Sequence, residues 1–179
     1  MKEILDEFYQ EDAFPKEELE LFMGPNSEYF MEERLKINAG NFLSFNVYAF
    51  LFSIFWMLYR QMFRPTILLL SLYFAENYLE NLLFSKLGIP VFQPDWTYFR
   101  IFAMMLITGF LGNWMYIKHC EYEVLQVIEK YEHEVALDIL KHKGGTSIFP
   151  VIIFILLIFI IVTVQLFYGQ HYFNTNFIY

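Results

Sequence analysis

Asn46, Ala49, Ser53 and Arg60 follow one another at spacings of 3, 4 and 7 inside a run that is otherwise Phe, Leu, Ile, Trp and Tyr. On an α-helix that spacing places all four on one face. Two readings of the stripe stand side by side. Small and weakly polar residues form seams along which apolar helices approach closely. The same residues line a water-filled path when several copies surround a centre, and Asn46, Ser53 and Arg60 would then be its polar track. Trp56 and Arg60, one turn apart, are also placed for a cation–π contact. Glu76 and Glu80 lie one turn apart further on, as do Asn77 and Asn81. Like charges at that spacing repel. They call for solvent, for a salt link to Arg60 or Arg64, or for cations at a charged ring in an oligomer.

Other chemistry is sparse. His119 and His133 share the polar side of a predicted helix, but their 14-residue separation is about 21 Å along the axis. One ion cannot join them. His119–Glu123 and Glu129–His133 are half-sites without a third ligand. Cys120 is the single cysteine, which excludes disulfides within the chain and cysteine metal centres. The sequence holds no Gly-rich phosphate loop and no nucleophile–base pair. No metal, no cofactor and no catalytic residue is therefore expected, and the chain is not expected to be an enzyme.

The elements that would carry these residues are helical. Residues 1–40 read as short surface helices broken at Pro15 and at "GPN" (24–26). Residues 37–59 carry no charge over 23 positions, enough for a helix to cross a bilayer, which needs about 20. Pro65 predicts a break near residues 62–64. Residues 65–88 start apolar and turn amphipathic at Glu76, 89–96 read as a proline-rich loop, and 101–117 form a third uncharged run. Across 118–143, Val124, Val127, Ile128, Tyr131, Val135 and Ile139 fall on one side. His119, Glu123, Gln126, Lys130, His133, Glu134 and Lys141 fall on the other. That predicts one amphipathic helix of 26 residues, about 39 Å long. Residues 148–168 are wholly uncharged and form the clearest span, with an aromatic tail suited to a headgroup layer.

Composition points the same way. Hydrophobic residues make up 57% of the 179 and charged ones 18%, more apolar surface than a small soluble domain can hide. The net charge of −8 is concentrated in residues 1–40, where eleven acids and four bases leave −7. Such an acidic end argues against direct nucleic-acid binding, which relies on clustered Lys and Arg. The first twenty residues carry acids where a signal peptide would be apolar, so an internal span would do the targeting. The expected fold class is an all-α, self-associating helical membrane protein. Its parts are an acidic N-terminal arm (1–40), an apolar helical region (41–117), a long amphipathic helix (118–145) and a C-terminal transmembrane helix with aromatic tail (146–179). Lys141 and Lys143 put the amphipathic helix on the cytoplasmic side. Arg34 and Lys36 conflict with Arg60 and Arg64 across 37–59, so multi-pass and single-pass arrangements both stay open.

"FNVYAFLFSIFWMLYRQMF" (45–63) and "GNWMYIKH" (112–119) resemble a widespread bacterial family of small membrane proteins of unknown function. Its pattern is F-N-x-x-A-F, then W-x-L-Y-R, then N-x-x-Y. The resemblance implies a helical integral membrane domain. In size, Phe/Tyr-rich composition and uncharged span, the chain also resembles accessory membrane proteins encoded beside the RNA-guided RNase of type VI-B CRISPR systems. Those carry a divergent HEPN-type motif of Arg, four to six residues, then His. Here Asn113 and His119 have the separation, with Asn in place of Arg. The missing guanidinium removes the group that would stabilise charge on a phosphate. The resemblance implies a homo-oligomeric pore in the bacterial inner membrane, with that RNase effector as partner, depolarising the cell when phage RNA is detected. A non-conducting scaffold docking a cytoplasmic partner and a degenerate RNase are the alternatives.

Overall fold

The computed structural model of the chain describes residues 14–88 and 94–176, and every element among them is a helix. The expectations for residues 1–13, for the loop stretch 89–93 and for the aromatic side chains from 168 onward lie outside the described residues.

The acidic segment beyond residue 13 is part of the body, not an appended arm. Helix α1 (Lys16–Met23) opens with Glu17 and Glu18, carboxylates that suit the positive end of a helix. It buries Leu19, Phe22 and Met23, at i, i+3 and i+4, and ends at Gly24. Helix α2 (Ser27–Asn38) buries Phe30, Met31, Leu35 and Ile37. Its charges are partnered: Arg34 Nε lies 2.7 Å from Glu121 in a nearly dry ion pair.

The uncharged run 37–59 does not form one helix. Residues 40–46 are non-helical, followed by α3 (Val47–Phe52) and α4 (Ile54–Tyr59). Ser53 divides them with φ +43° and ψ −115°, a left-handed φ costing about 1–3 kcal/mol in a non-glycine residue. The break lets α3 lie flat against the next long helix while α4 drives Trp56, Met57 and Leu58 into the core. Helix α5 (Phe63–Leu87) starts where the proline requires, with Pro65 in its first turn, where a missing N–H costs nothing. Glycine at residue 88 (φ +68°) closes it.

Helix α6 (Pro94–Ile128) has 35 residues, about 52 Å at 1.5 Å per residue. It runs straight through the expected boundary at 117/118, and it takes in Pro94 to Trp96 of the expected loop. Helices α1, α2 and α3 all pack on it. The expected 26-residue amphipathic helix is in fact two pieces. Chain reversal at 129–132 starts α7 (His133–Lys143), which folds back onto α1 and α6 and buries Ala136 and Leu140. Its phase is its own, so Val124 and Val127 are core while Tyr131 and Val135 are exposed. Helix α8 (Phe149–Asn176) leans on α4 only at its start, where the Phe55 and Phe154 rings are 5.8 Å apart.

Among the described residues, two helices are long and apolar enough to span a membrane: Tyr98–Ile128 and Phe149–Phe167. The 37–59 segment is not among them, because its helices have six residues each. Aromatic side chains from 45–59 instead clamp the middle of α6, from Phe102 to Tyr116.

Candidate functional site

Asn46, Ala49, Ser53, Arg60 and Asn113 meet in one place, the contact of α3 and α4 with α6. Gly109 and Gly112 permit it by having no side chains. A Cβ at Gly112 would stand 2.8 Å from the Ala49 Cβ, and one at Gly109 would stand 2.9 Å from Phe45 and Phe50 side-chain atoms. With the backbones that close, the Asn46 N–H donates to the Gly109 carbonyl at 2.8 Å. The Asn46 side chain caps α3 by accepting from the Ala49 N–H at 2.9 Å, and its Nδ2 donates to Asn113 Oδ1 at 2.7 Å.

Asn113, fully buried, is the hub. Its Nδ2 donates to the Tyr29 hydroxyl at 2.7 Å and to Ser44 Oγ at 2.8 Å, with Glu33 Oε2 at 3.4 Å. Five residues from α2, the 40–46 connector and α6 thus satisfy one another, as a buried polar cluster must. Burial pushes the Glu33 carboxyl up, but hydrogen bonds from Lys36, Ser44 and Asn113 outweigh it and leave the pKa below the ordinary value of 4.5. A depressed carboxylate stabilises the fold above its unfolded pKa, and that contribution is lost as pH falls through the folded one. Glu33→Gln is therefore expected to flatten the dependence of melting temperature on pH below 4.5. An unchanged acid limb would contradict this.

Ser53 faces Thr108, whose hydroxyl lies 3.2 Å from Ser53 Oγ and 3.1 Å from the Ala49 carbonyl. Asn46, Ser53 and Arg60 do not form a stripe on one helix. They stand at the three interruptions of the helical path: the cap of α3, the break, and the end of α4. Each is turned toward α6.

Arg60 ends α4 only 7% exposed. Its guanidinium carbon sits 4.7 Å from the Phe30 ring centre and 5.0 Å from that of Tyr116, a cation–π sandwich. Trp56, expected to be its aromatic partner, packs against Tyr116 at 6.0 Å instead. Among the described residues no carboxylate pairs with Arg60. One amino group lies 3.5 Å from the Tyr116 hydroxyl, and Nε has no hydrogen-bond partner. Arg60 lines an open groove of about 870 Å³ with Phe52, Phe55, Trp56, Tyr59, Ile148 and Val151 among its walls. A smaller cavity of about 260 Å³ lies on the other side of Arg60, walled by Arg64, His119, Glu123 and Lys143. There Lys143 pairs with Glu123 at 2.6 Å, and Arg64 stacks on Tyr122.

The remaining candidates separate. Arg100, not Arg60 or Arg64, bridges Glu80 at 2.5 Å and Glu76 at 3.7 Å. Asn113 and His119 have different partners: Asn113 bonds to Tyr29, Ser44 and Asn46, while His119 meets the Phe22 ring edge-on at 6.3 Å. His133 lies 3.4 Å from Glu18. Among the described residues no three His, Cys, Asp or Glu side chains could hold a metal ion. Tyr29, Glu33, Ser44, Thr108, Gly109 and Gly112 were not singled out from the sequence. The one signal available for them was two glycines and an asparagine, "GFLGN" (109–113), inside an apolar run.

The family described as "Protein of unknown function (DUF2628)" matches residues 19–121, which take in the whole joint, from Tyr29 to Tyr116. No curated protein and no solved structure matches the chain.

Proposed function

The chain belongs to the DUF2628 family of proteins of unknown function, and from that premise we propose that it is a non-catalytic, membrane-anchored helical module. The observation that carries this is α8. Its window Phe149–Phe167 has a mean hydropathy of 3.0, with 6% of it covered by the rest of the chain. An uncovered helix of that length and composition matches a bilayer core, whereas in water it would leave a large apolar patch open. Three hydrogen bonds fix where it leaves the body. The Gly145 N–H donates to the Phe22 carbonyl at 2.7 Å, Gln61 Nε2 to the Gly144 carbonyl at 3.2 Å, and the Ser147 N–H to the Tyr59 carbonyl at 2.9 Å. The helical body is thus held at the membrane surface, with Lys141 and Lys143 on the cytoplasmic side of a bacterial inner membrane.

A homo-oligomeric pore is the second reading, and a specific observation favours it. Along α5, Thr66 is the one buried residue, so its apolar faces need lipid or other copies of the chain. The RNA-guided RNase effector as partner rests on resemblance alone. Alkaline carbonate extraction of membranes from expressing cells tests the anchor, with the full chain expected to stay in the pellet. Release into the supernatant would contradict it. In the same cells an unchanged potential-sensitive dye signal, with and without the activated effector, supports the scaffold and excludes the conducting pore.

A further inference from the structure

We propose that the groove beside Arg60 is a binding site for an anionic phospholipid of the membrane in which α8 stands. The phosphate would sit at Arg60 and one acyl chain along α8. The inference deepens the membrane-anchored reading and rests on it.

Arg60 is more than nine-tenths buried, lines the groove, and keeps an Nε without a partner. A guanidinium withdrawn from water without a counter-charge is costly. Phe30 and Tyr116 stabilise its faces, and the Tyr116 hydroxyl meets one amino group at a long 3.5 Å, but Nε is left without an acceptor. A phosphate suits that edge, because the planar fork of donors matches two phosphate oxygens. The walls that continue from Arg60 are apolar: Phe52, Phe55, Ile148 and Val151. The volume of about 870 Å³ is within the usual range for sites of small molecules.

Position selects a lipid over a soluble anion. Ile148 and Val151 belong to the entry and first turn of α8. Tyr59, the neighbour of Arg60, accepts the hydrogen bond that fixes Ser147 just before the span. Arg60 therefore lies at the level where α8 enters the hydrocarbon, which is headgroup depth, and the groove opens along the side of the span. Basic pockets between helices at that depth suit anionic headgroups.

The test uses the full chain purified in non-ionic detergent and titrated in native mass spectrometry with phosphatidylglycerol, phosphatidylcholine or inorganic phosphate. Phosphatidylglycerol is expected to bind tightest. Arg60→Gln should weaken it about tenfold, as loss of a charged hydrogen-bonded contact does, and Arg60→Lys should retain part of the binding. Val151→Trp narrows the groove from the α8 side, leaves Arg60 in place and should also lose the lipid. It keeps the test decisive if Arg60→Gln fails to fold. Equal binding of the two lipids overturns the proposal, as does wild-type binding by Val151→Trp. Inorganic phosphate that displaces the lipid at equal concentration makes the ligand a free anion and overturns it too. Groove variants that change oligomer size yet bind lipid as the wild type does mean that a second copy fills the groove, and also overturn it. Wild-type protein that pellets with membranes yet binds no lipid refutes this site and leaves the anchor standing.

Discussion

Asn113→Ala is expected to destabilise the body by about 3 kcal/mol, since each buried partner left unsatisfied costs about 1–3 kcal/mol. In a chain of 179 residues that is a fall in melting temperature of about 10 °C. The size follows from how many groups lose their partner at once. Asn46 Nδ2 loses its acceptor, and the Tyr29 hydroxyl and Ser44 Oγ lose their donor. Asn46 cannot turn to water instead, because it is 5% exposed and Asn113 is fully buried, whereas Tyr29 and Ser44 are less enclosed. Asn113→Asp keeps the shape but sets a second carboxylate where Glu33 Oε2 lies 3.4 Å away. Two carboxylates that close cannot both stay ionised cheaply, so this variant is expected to be unstable at neutral pH and to recover partly on mild acidification. Thermal unfolding followed by circular dichroism checks both variants, and a wild-type melting temperature for either would contradict the account.

Gly144→Ala is expected to be as damaging, for a steric reason. Gly144 has φ −85° and ψ −168°, so its backbone conformation is open to any residue. Space is what excludes a side chain. A Cβ there would stand 2.1 Å from the Phe22 carbonyl oxygen and 2.7 Å from the Phe22 Cα, and a main chain cannot step aside as a long side chain does. Overpacking of this kind costs about 3 kcal/mol. It would also break the Gly145–Phe22 and Gln61–Gly144 hydrogen bonds that orient α8. Limited proteolysis should then cut between residues 144 and 147 in the variant while the wild type resists. Equal resistance would show that the joint is not held by this contact.

The motif residues showed where the joint lies, but not how the chain reaches it. Asn46, Ala49 and Arg60 were legible as a polar and small-residue row in an apolar run, and Pro65 as a helix start. The all-helical class and an α8 long and apolar enough to span a membrane were legible too, because uncharged length is a local property. What failed depended on partners distant in sequence. The stripe assumed one helix through residue 53, yet contact with Gly109 and Gly112 favours a break there despite a strained Ser53. The acidic count of residues 1–40 suggested a solvated arm. Leu19, Phe22 and Phe30 outweigh it, because the charges around them are exposed or paired. The amphipathic projection across 118–143 assumed one phase, and the reversal at 129–132 resets it. Glu33 and Ser44 gave no signal, since their worth lies in an asparagine some 70–80 residues away.

The polar row is an internal joint binding α3 and α4 to α6. A double-mutant cycle with Asn46→Ala and Asn113→Ala, read as unfolding free energies, measures it most directly. A joint predicts coupling of about 1 kcal/mol or more between the two positions, as residues of one hydrogen-bond network show. Effects that add to within about 0.3 kcal/mol, the behaviour of distant sites, would contradict it and return the row to the lining of a path between subunits.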